Sequence, residues 1–90
     1  MRYSVVVPAR DEERSVGDSV RSARSADAEV IVVDGGSTDR TCEVAADAGA
    51  RVIESAAGRG VQLDRGARQA GGEWLVFLHE IGRASCRERV

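Results

Sequence analysis

Asp34 closes the run Val30-Ile31-Val32-Val33, and Gly35-Gly36-Ser37-Thr38-Asp39 follows it. Four consecutive β-branched residues make a strand buried on both faces, as in a parallel sheet covered by helices. A carboxylate at the strand's carboxyl end, a glycine turn, and Ser37 or Thr38 to cap a following helix together build the ligand crevice of an α/β fold. Asp is also common in turns, so Asp34 reads as a plain turn residue too. The other charged residues able to do chemistry recur in the same setting. Arg10-Asp11-Glu12 come after Tyr3-Ser4-Val5-Val6-Val7, Arg59 after Arg51-Val52-Ile53-Glu54, and His79-Glu80 after Trp74-Leu75-Val76-Phe77-Leu78. In an open parallel sheet the strand carboxyl ends share one edge, where ligands bind, so the four groups are expected to meet there. Polar loops at that edge are equally what any α/β protein carries.

The elements that must position them follow from pattern and punctuation. The first strand, from Tyr3, should close at Pro8, which lacks a ladder donor. Asp11 reads as the cap of a helix running to Ala26, with Val16, Val20 and Ala23 inward and Glu12 and Glu13 in a first turn that favours acids. A second helix is expected over residues 38–48, with Thr41, Val44, Ala45 and Ala48 inward and Gly49 as its stop. After the third strand, a loop of small residues over 55–60 leads to a helix ending near Ala70. Leu63, Ala67 and Ala70 form its inner face, and Gly71-Gly72 ends it. The order β-α-β-α-β-α-β predicts an α/β, Rossmann-like parallel sheet with right-handed crossovers. Residues 1–80 make one domain of this kind. Residues 81–90 break the alternation with aperiodic, Arg-rich sequence and read as an irregular tail.

Composition excludes several classes. All 13 basic residues are Arg, against 15 acids, for a net charge of −2. That balance argues against a nucleic-acid or acidic-membrane footprint. Cys42 and Cys86 form no CxxC pair, so a reduced, cytoplasmic compartment is the default. No apolar run approaches the roughly 18 residues of a membrane span. Without Lys, a Walker A loop cannot be completed. Gly58-Arg59-Gly60-Val61-Gln62-Leu63 begins like GxGxxG but places Leu63 at the third glycine, which argues against dinucleotide binding. His79 is the sole His, and no nucleophile elbow supports a hydrolase triad around it.

Taken together, Val5-Val6-Val7-Pro8-Ala9-Arg10-Asp11-Glu12-Glu13, Val32-Val33-Asp34-Gly35-Gly36-Ser37-Thr38-Asp39, Gly58-Arg59-Gly60, Gly66 and Phe77-Leu78-His79 resemble the amino-terminal half of a family 2 glycosyltransferase of GT-A fold. The subgroup it resembles carries VDGGSTD where the commoner form is VDDGSTD, and continues FLHADT. The resemblance implies a partial GT-A domain binding a nucleoside-diphosphate sugar, with Pro8, Ala9, Arg10 and Glu12 bordering base and ribose. It implies that Asp34 accepts a hydrogen bond from the base, since a carboxylate suits the N–H of uracil or guanine, and that Arg59 approaches the diphosphate. Asp39 is implied to be a helix first-turn residue, and Asp64 stands where many relatives have Asn.

The resemblance also implies Mg²⁺ or Mn²⁺ in the parent family, held by an acid shortly after the fourth strand. There this chain has Glu80 and Ile81 in place of Ala and Asp, so it is expected to hold no metal alone. No residue takes the role of the family's acceptor-deprotonating carboxylate. The reading is a fragment of an inverting transferase, inactive as written. Its last ten residues resemble a run found at the ends of unrelated truncated reading frames, so a joint to foreign sequence is expected near Leu78. The full-length parent is expected in the cytoplasm or at a membrane, since family members differ. Two alternatives stand beside this reading: a small Rossmann-like module binding a nucleotide or other small ligand, and a non-enzymatic fragment that self-associates through an exposed sheet edge.

Overall fold

A computed structural model describes residues 2–25, 27–78 and, for the backbone alone, 84–89. The elements alternate as expected: β1 (Tyr3–Ala9), α1 (Val16–Ala23), β2 (Ala28–Asp34), α2 (Thr41–Asp47), β3 (Arg51–Glu54), α3 (Arg59–Gln69) and β4 (Trp74–Leu78), followed by β5 (Ala84–Arg89). The sheet order is β3-β2-β1-β4-β5. Strands β1 to β4 are parallel, and β5 runs antiparallel along β4. The α/β, Rossmann-like arrangement of four parallel strands read from the alternation is therefore the one formed.

Alternate side chains of the central strands feed two cores, because successive residues of a strand point to opposite faces. On one face Val5, Val7, Val30, Val32 and Val76 pack with Val16 and Val20 of α1 and Ala45 of α2. On the other, Val6, Ile31 and Val33 meet Leu63, beside Ile53 and Phe77. Both faces being covered explains the unbroken apolar runs. The chain steps outward from β1 to β2 and β3, then returns to place β4 on the far side of β1. That reversal makes the carboxyl end of β1 the topological switch point, where an open α/β sheet leaves a crevice.

Three expectations are corrected. Pro8 does not close β1, which runs on to Ala9. The ladder to β4 ends at Val6↔Phe77, so Pro8 pairs only with the β2 side and costs no ladder bond towards β4. Asp11 does not cap α1, which starts at Val16 after a turn in which the Ser15 and Val16 N–H groups donate to the Glu12 carbonyl. Residues 84–89 are not irregular: their backbone pairs with β4 from Trp74↔Arg89 to Leu78↔Ala84. An edge strand offers unpaired N–H and C=O groups that a returning chain can satisfy whatever its side-chain pattern. Strand β4 is thus covered on its outer side, and β3 and β5 form the two edges of the sheet.

The entry to β4 is tied to β1 and β2 at the amino-terminal edge of the sheet. The buried Ser4 hydroxyl donates to Glu29 Oε2 at 2.6 Å and accepts the Gly72 N–H at 2.8 Å, while the Gly71 N–H donates to the same Glu29 oxygen at 2.8 Å. Gly72 has no room for a side chain, since a Cβ there would lie 2.7 Å from the Tyr3 carbonyl carbon. Partial burial works against ionisation of Glu29, but the Ser4 and Gly71 donors and the Arg51 charge outweigh it and hold the carboxyl below its ordinary value. A carboxyl whose pKa is lowered by folding contributes stability above its unfolded-state pKa, and that contribution fades as pH falls through the folded value. Glu29→Gln is therefore expected to be less stable than wild type at about pH 7, with the gap narrowing towards about pH 3. Urea denaturation of both chains at the two pH values checks this, and an unchanged gap counts against it.

Candidate functional site

A cleft of about 150 Å³ opens at the carboxyl edge of the sheet, lined by Pro8, Ala9, Arg10, Glu12, Arg59 and Gln62. Strand β1 and the loop after it supply four of these, and the first turn of α3 supplies the other two. Pro8, Ala9, Arg10, Glu12 and Arg59, singled out from sequence as candidate ligand contacts, are thus brought together around one recess. Two guanidinium groups against one carboxylate give the lining a bias towards an anion. His79 and Glu80 lie outside the described residues.

Asp34 stands apart. It is 3% exposed and does not line the cleft. Its Oδ2 accepts the N–H groups of Gly36 at 3.2 Å and Ser37 at 3.0 Å, and its Oδ1 accepts the Ser37 hydroxyl. Gly36 sits at φ 95°, a conformation that favours glycine, and the carboxylate closes the turn that this allows. The turn reading of Asp34 is therefore realised. Cys42 of α2 lies behind it, and burial together with the Asp34 carboxylate pushes the thiol above its ordinary value, which makes it a poor nucleophile.

Residues 37–41 grip the loop after β1. The Ser37 hydroxyl oxygen accepts the Asp11 N–H at 2.8 Å, and Asp11 Oδ1 accepts the Thr38 N–H at 2.7 Å. Buried Thr41 accepts the Glu12 N–H at 2.8 Å through Oγ1 and donates that hydroxyl's proton to Asp39. Asp39 also accepts the Thr41 N–H, but α2 begins only at Thr41, so Asp39 precedes the helix and is not the first-turn residue expected of it. The Thr41 hydroxyl bond, then the backbone donors, hold the Asp39 carboxyl below its ordinary value. Asp11 adopts φ 51°, a left-handed conformation that Asp tolerates better than most residues, and Ser37 and Thr38 of the loop after β2 hold it there through its N–H and its carboxylate. The run from Asp34 to Thr41 thus works as a clasp that sets where Arg10 and Glu12 stand.

Gln62 escaped the sequence reading. Hydrophobic periodicity placed Leu63, Ala67 and Ala70 inward, whereas α3 turns Gln62 and Gly66 deepest into the fold. Its Nε2 donates to the Ala9 carbonyl at 3.1 Å and the Val33 carbonyl at 2.9 Å. Its Oε1 accepts the Gly58 N–H at 3.3 Å.

An open α/β sheet with two arginines and one carboxylate lining a cleft at its switch point belongs to the class of α/β domains whose crevice lies beyond the strand carboxyl ends. The particular family is shown by comparison. Residues 4–80 match the model for glycosyl transferase family 2, and the chain belongs to that family. It is 41% identical over 58 residues to glycosyltransferase AglJ of Haloferax volcanii, covering 62% of this chain and 19% of that one. Glucosyl-3-phosphoglycerate synthase of Mycobacterium tuberculosis, solved with Mn²⁺, uridine diphosphate and phosphoglyceric acid, superposes with a TM-score of 0.75 at 33% identity, over 88% of this chain and 32% of that one. S. aureus TarS superposes with a TM-score of 0.73 at 25% identity, over 89% of this chain and 16% of that one. The chain therefore spans about a third or less of each relative's length.

Proposed function

We propose that these residues form the part of a family 2 glycosyltransferase that receives the nucleoside diphosphate of a nucleoside-diphosphate sugar. The observation that supports this is the convergence of Pro8, Ala9, Arg10, Glu12 and Arg59 on one cleft. It falls in a chain whose structural relatives include complexes with uridine diphosphate and uridine-diphosphate-glucose. Pro8, Ala9, Arg10 and Glu12 border the base and ribose, and Arg59 at the head of α3 approaches the diphosphate through charge-assisted hydrogen bonds. Asp34 joins this reading only as an acceptor from the base that needs the Ser37 hydroxyl to leave its Oδ1, since the carboxylate is buried and outside the cleft lining. At about 150 Å³ the cleft is smaller than the roughly 300–1,000 Å³ of a whole small-molecule site, and suits one part of such a ligand.

Relatives solved with uridine diphosphate hold Mn²⁺ or Mg²⁺. When bound, such an ion neutralises charge on a leaving diphosphate. Among the described residues no three His, Cys, Asp or Glu side chains converge to hold one, and the positions after β4 where the family's acid is expected lie outside them, so no step is routed through a metal. A polypeptide of these 90 residues alone is expected to bind nucleotide without transferring sugar.

Titration of the ¹⁵N-labelled chain with uridine diphosphate and guanosine diphosphate tests the reading. The expected result is saturable shifts at Arg10, Glu12, Arg59 and Gln62, with a Kd on the order of 1 mM. Arg59→Ala should weaken binding by roughly tenfold, the loss of one charge-assisted contact. Absence of shifts at the cleft with either nucleotide would sink the proposal.

A further inference from the structure

We infer that Gln62 is the positioning residue of the cleft: its amide ties the Ala9 and Val33 carbonyls, near the carboxyl ends of β1 and β2, to the Gly58 N–H just ahead of α3, and Gly35 lacks a side chain so that this amide fits. Gln62 is 6% exposed, and among the described residues its amide bonds go to the backbone of β1, β2 and the turn before α3. A glutamine amide has two N–H donors. Here both are spent, one on Ala9 and one on Val33, so none is left for a ligand. Gln62 therefore acts on a ligand through the backbone it holds. The Ala9 carbonyl, which also accepts the Gly35 N–H at 2.9 Å, immediately precedes Arg10. The Gly58 N–H that donates to Oε1 immediately precedes Arg59. One amide thus fixes the backbone beside both cationic residues of the lining.

Gly35 completes the arrangement. A Cβ built there would lie 2.8 Å from the Gln62 amide carbon and 2.9 Å from Oε1, closer than real Cβ contacts come. Its neighbour Gly36 meets nothing within 4 Å and is required instead by its φ of 95°. The two glycines therefore have different causes: the first makes space for Gln62, and the second makes the turn.

The effect on ligand affinity rests on the nucleotide reading above, whereas the tethering does not. The test uses the full 90-residue chain. Gln62→Met keeps side-chain length and removes the three bonds. It should move the amide resonances of Arg10, Gly35, Gly58 and Arg59 together, and raise the Kd for uridine diphosphate at least about tenfold. Leu63→Ala, a packing loss on the same helix, should lower the unfolding midpoint yet leave that Kd within about twofold. Shifts confined to α3, or equal Kd changes in the two variants, would overturn the proposal.

If wild type binds neither uridine nor guanosine diphosphate, the nucleotide reading falls and the tether is judged by a second cycle. Gly35→Ala, which pushes the amide aside without removing it, should move the same amides and lower the unfolding midpoint. Placed in a Gln62→Ala background it should lower the midpoint no further. An equal loss in both backgrounds would overturn the tether.

Discussion

Gly66→Ala is expected to lower the unfolding midpoint by about 8–16 °C, the equivalent of roughly 2 kcal/mol in a chain of this size. Propensity alone points the other way, because Ala in a helix interior is favoured over Gly by about 1 kcal/mol. Packing decides the sign. A Cβ at position 66 would lie 2.3 Å from Val6 Cγ1 and 3.0 Å from Val33 Cγ2. Both valines are fully buried on central strands, and β-branched side chains have little freedom at χ1, so neither can retreat. Helix α3 must lift from the sheet instead, opening the core of Val6, Ile31 and Val33. Gly60 in the same helix provides the control, since a Cβ there meets nothing within 4 Å. Gly60→Ala should gain about 0.5–1 kcal/mol by the propensity term alone. Thermal melts of the two variants beside wild type decide the matter, and a Gly66→Ala chain as stable as wild type would refute the close approach.

The same helix marks where the sequence was legible and where it was not. Strands with both faces buried leave a strong apolar signal, and β3 and β4 were read at their observed bounds. The cleft was legible one step further on, because a parallel sheet must bring its strand ends to one edge. That rule alone placed Arg10, Glu12 and Arg59 together. On α3 the inward-facing residues are a glutamine and a glycine, which carry no hydrophobic signal, so periodicity settled on a face turned about one position away. Asp11 failed for another reason. An Asp ahead of a helix is locally a cap, and only contacts to Ser37 and Thr38, 26 and 27 residues on, make it the clip between two loops. Local rules cannot see a partner that distant. The pairing of β5 carries no periodic pattern and follows from the edge of β4 rather than from its own residues.

Asp34 carries the second large effect, and two substitutions separate its two roles. Asp34→Ala removes the acceptor of the Gly36 and Ser37 N–H groups and of the Ser37 hydroxyl in a buried setting. Leaving such donors unsatisfied costs about 1–3 kcal/mol each, so a loss of roughly 2–4 kcal/mol is expected. The damage should spread, because the freed Ser37 hydroxyl also accepts the Asp11 N–H and so supports the loop that carries Arg10. Asp34→Asn keeps an oxygen for the two backbone donors, and the Ser37 hydroxyl can rotate to accept from the new amide. Its stability should stay within about 1 kcal/mol of wild type. The charge is gone, however, and an amide N–H would face the N–H of the base. If Asp34 accepts from the base, Asp34→Asn should weaken uridine diphosphate by roughly tenfold to a hundredfold, the worth of one hydrogen bond to a charged group. If it only closes the turn, Asp34→Asn should bind as wild type does while Asp34→Ala still loses both stability and affinity. Calorimetric titration of the two variants, paired with their urea midpoints, distinguishes these outcomes. Equal binding by wild type and both variants would remove Asp34 from the site altogether and leave its carboxylate as the keystone of the clasp alone.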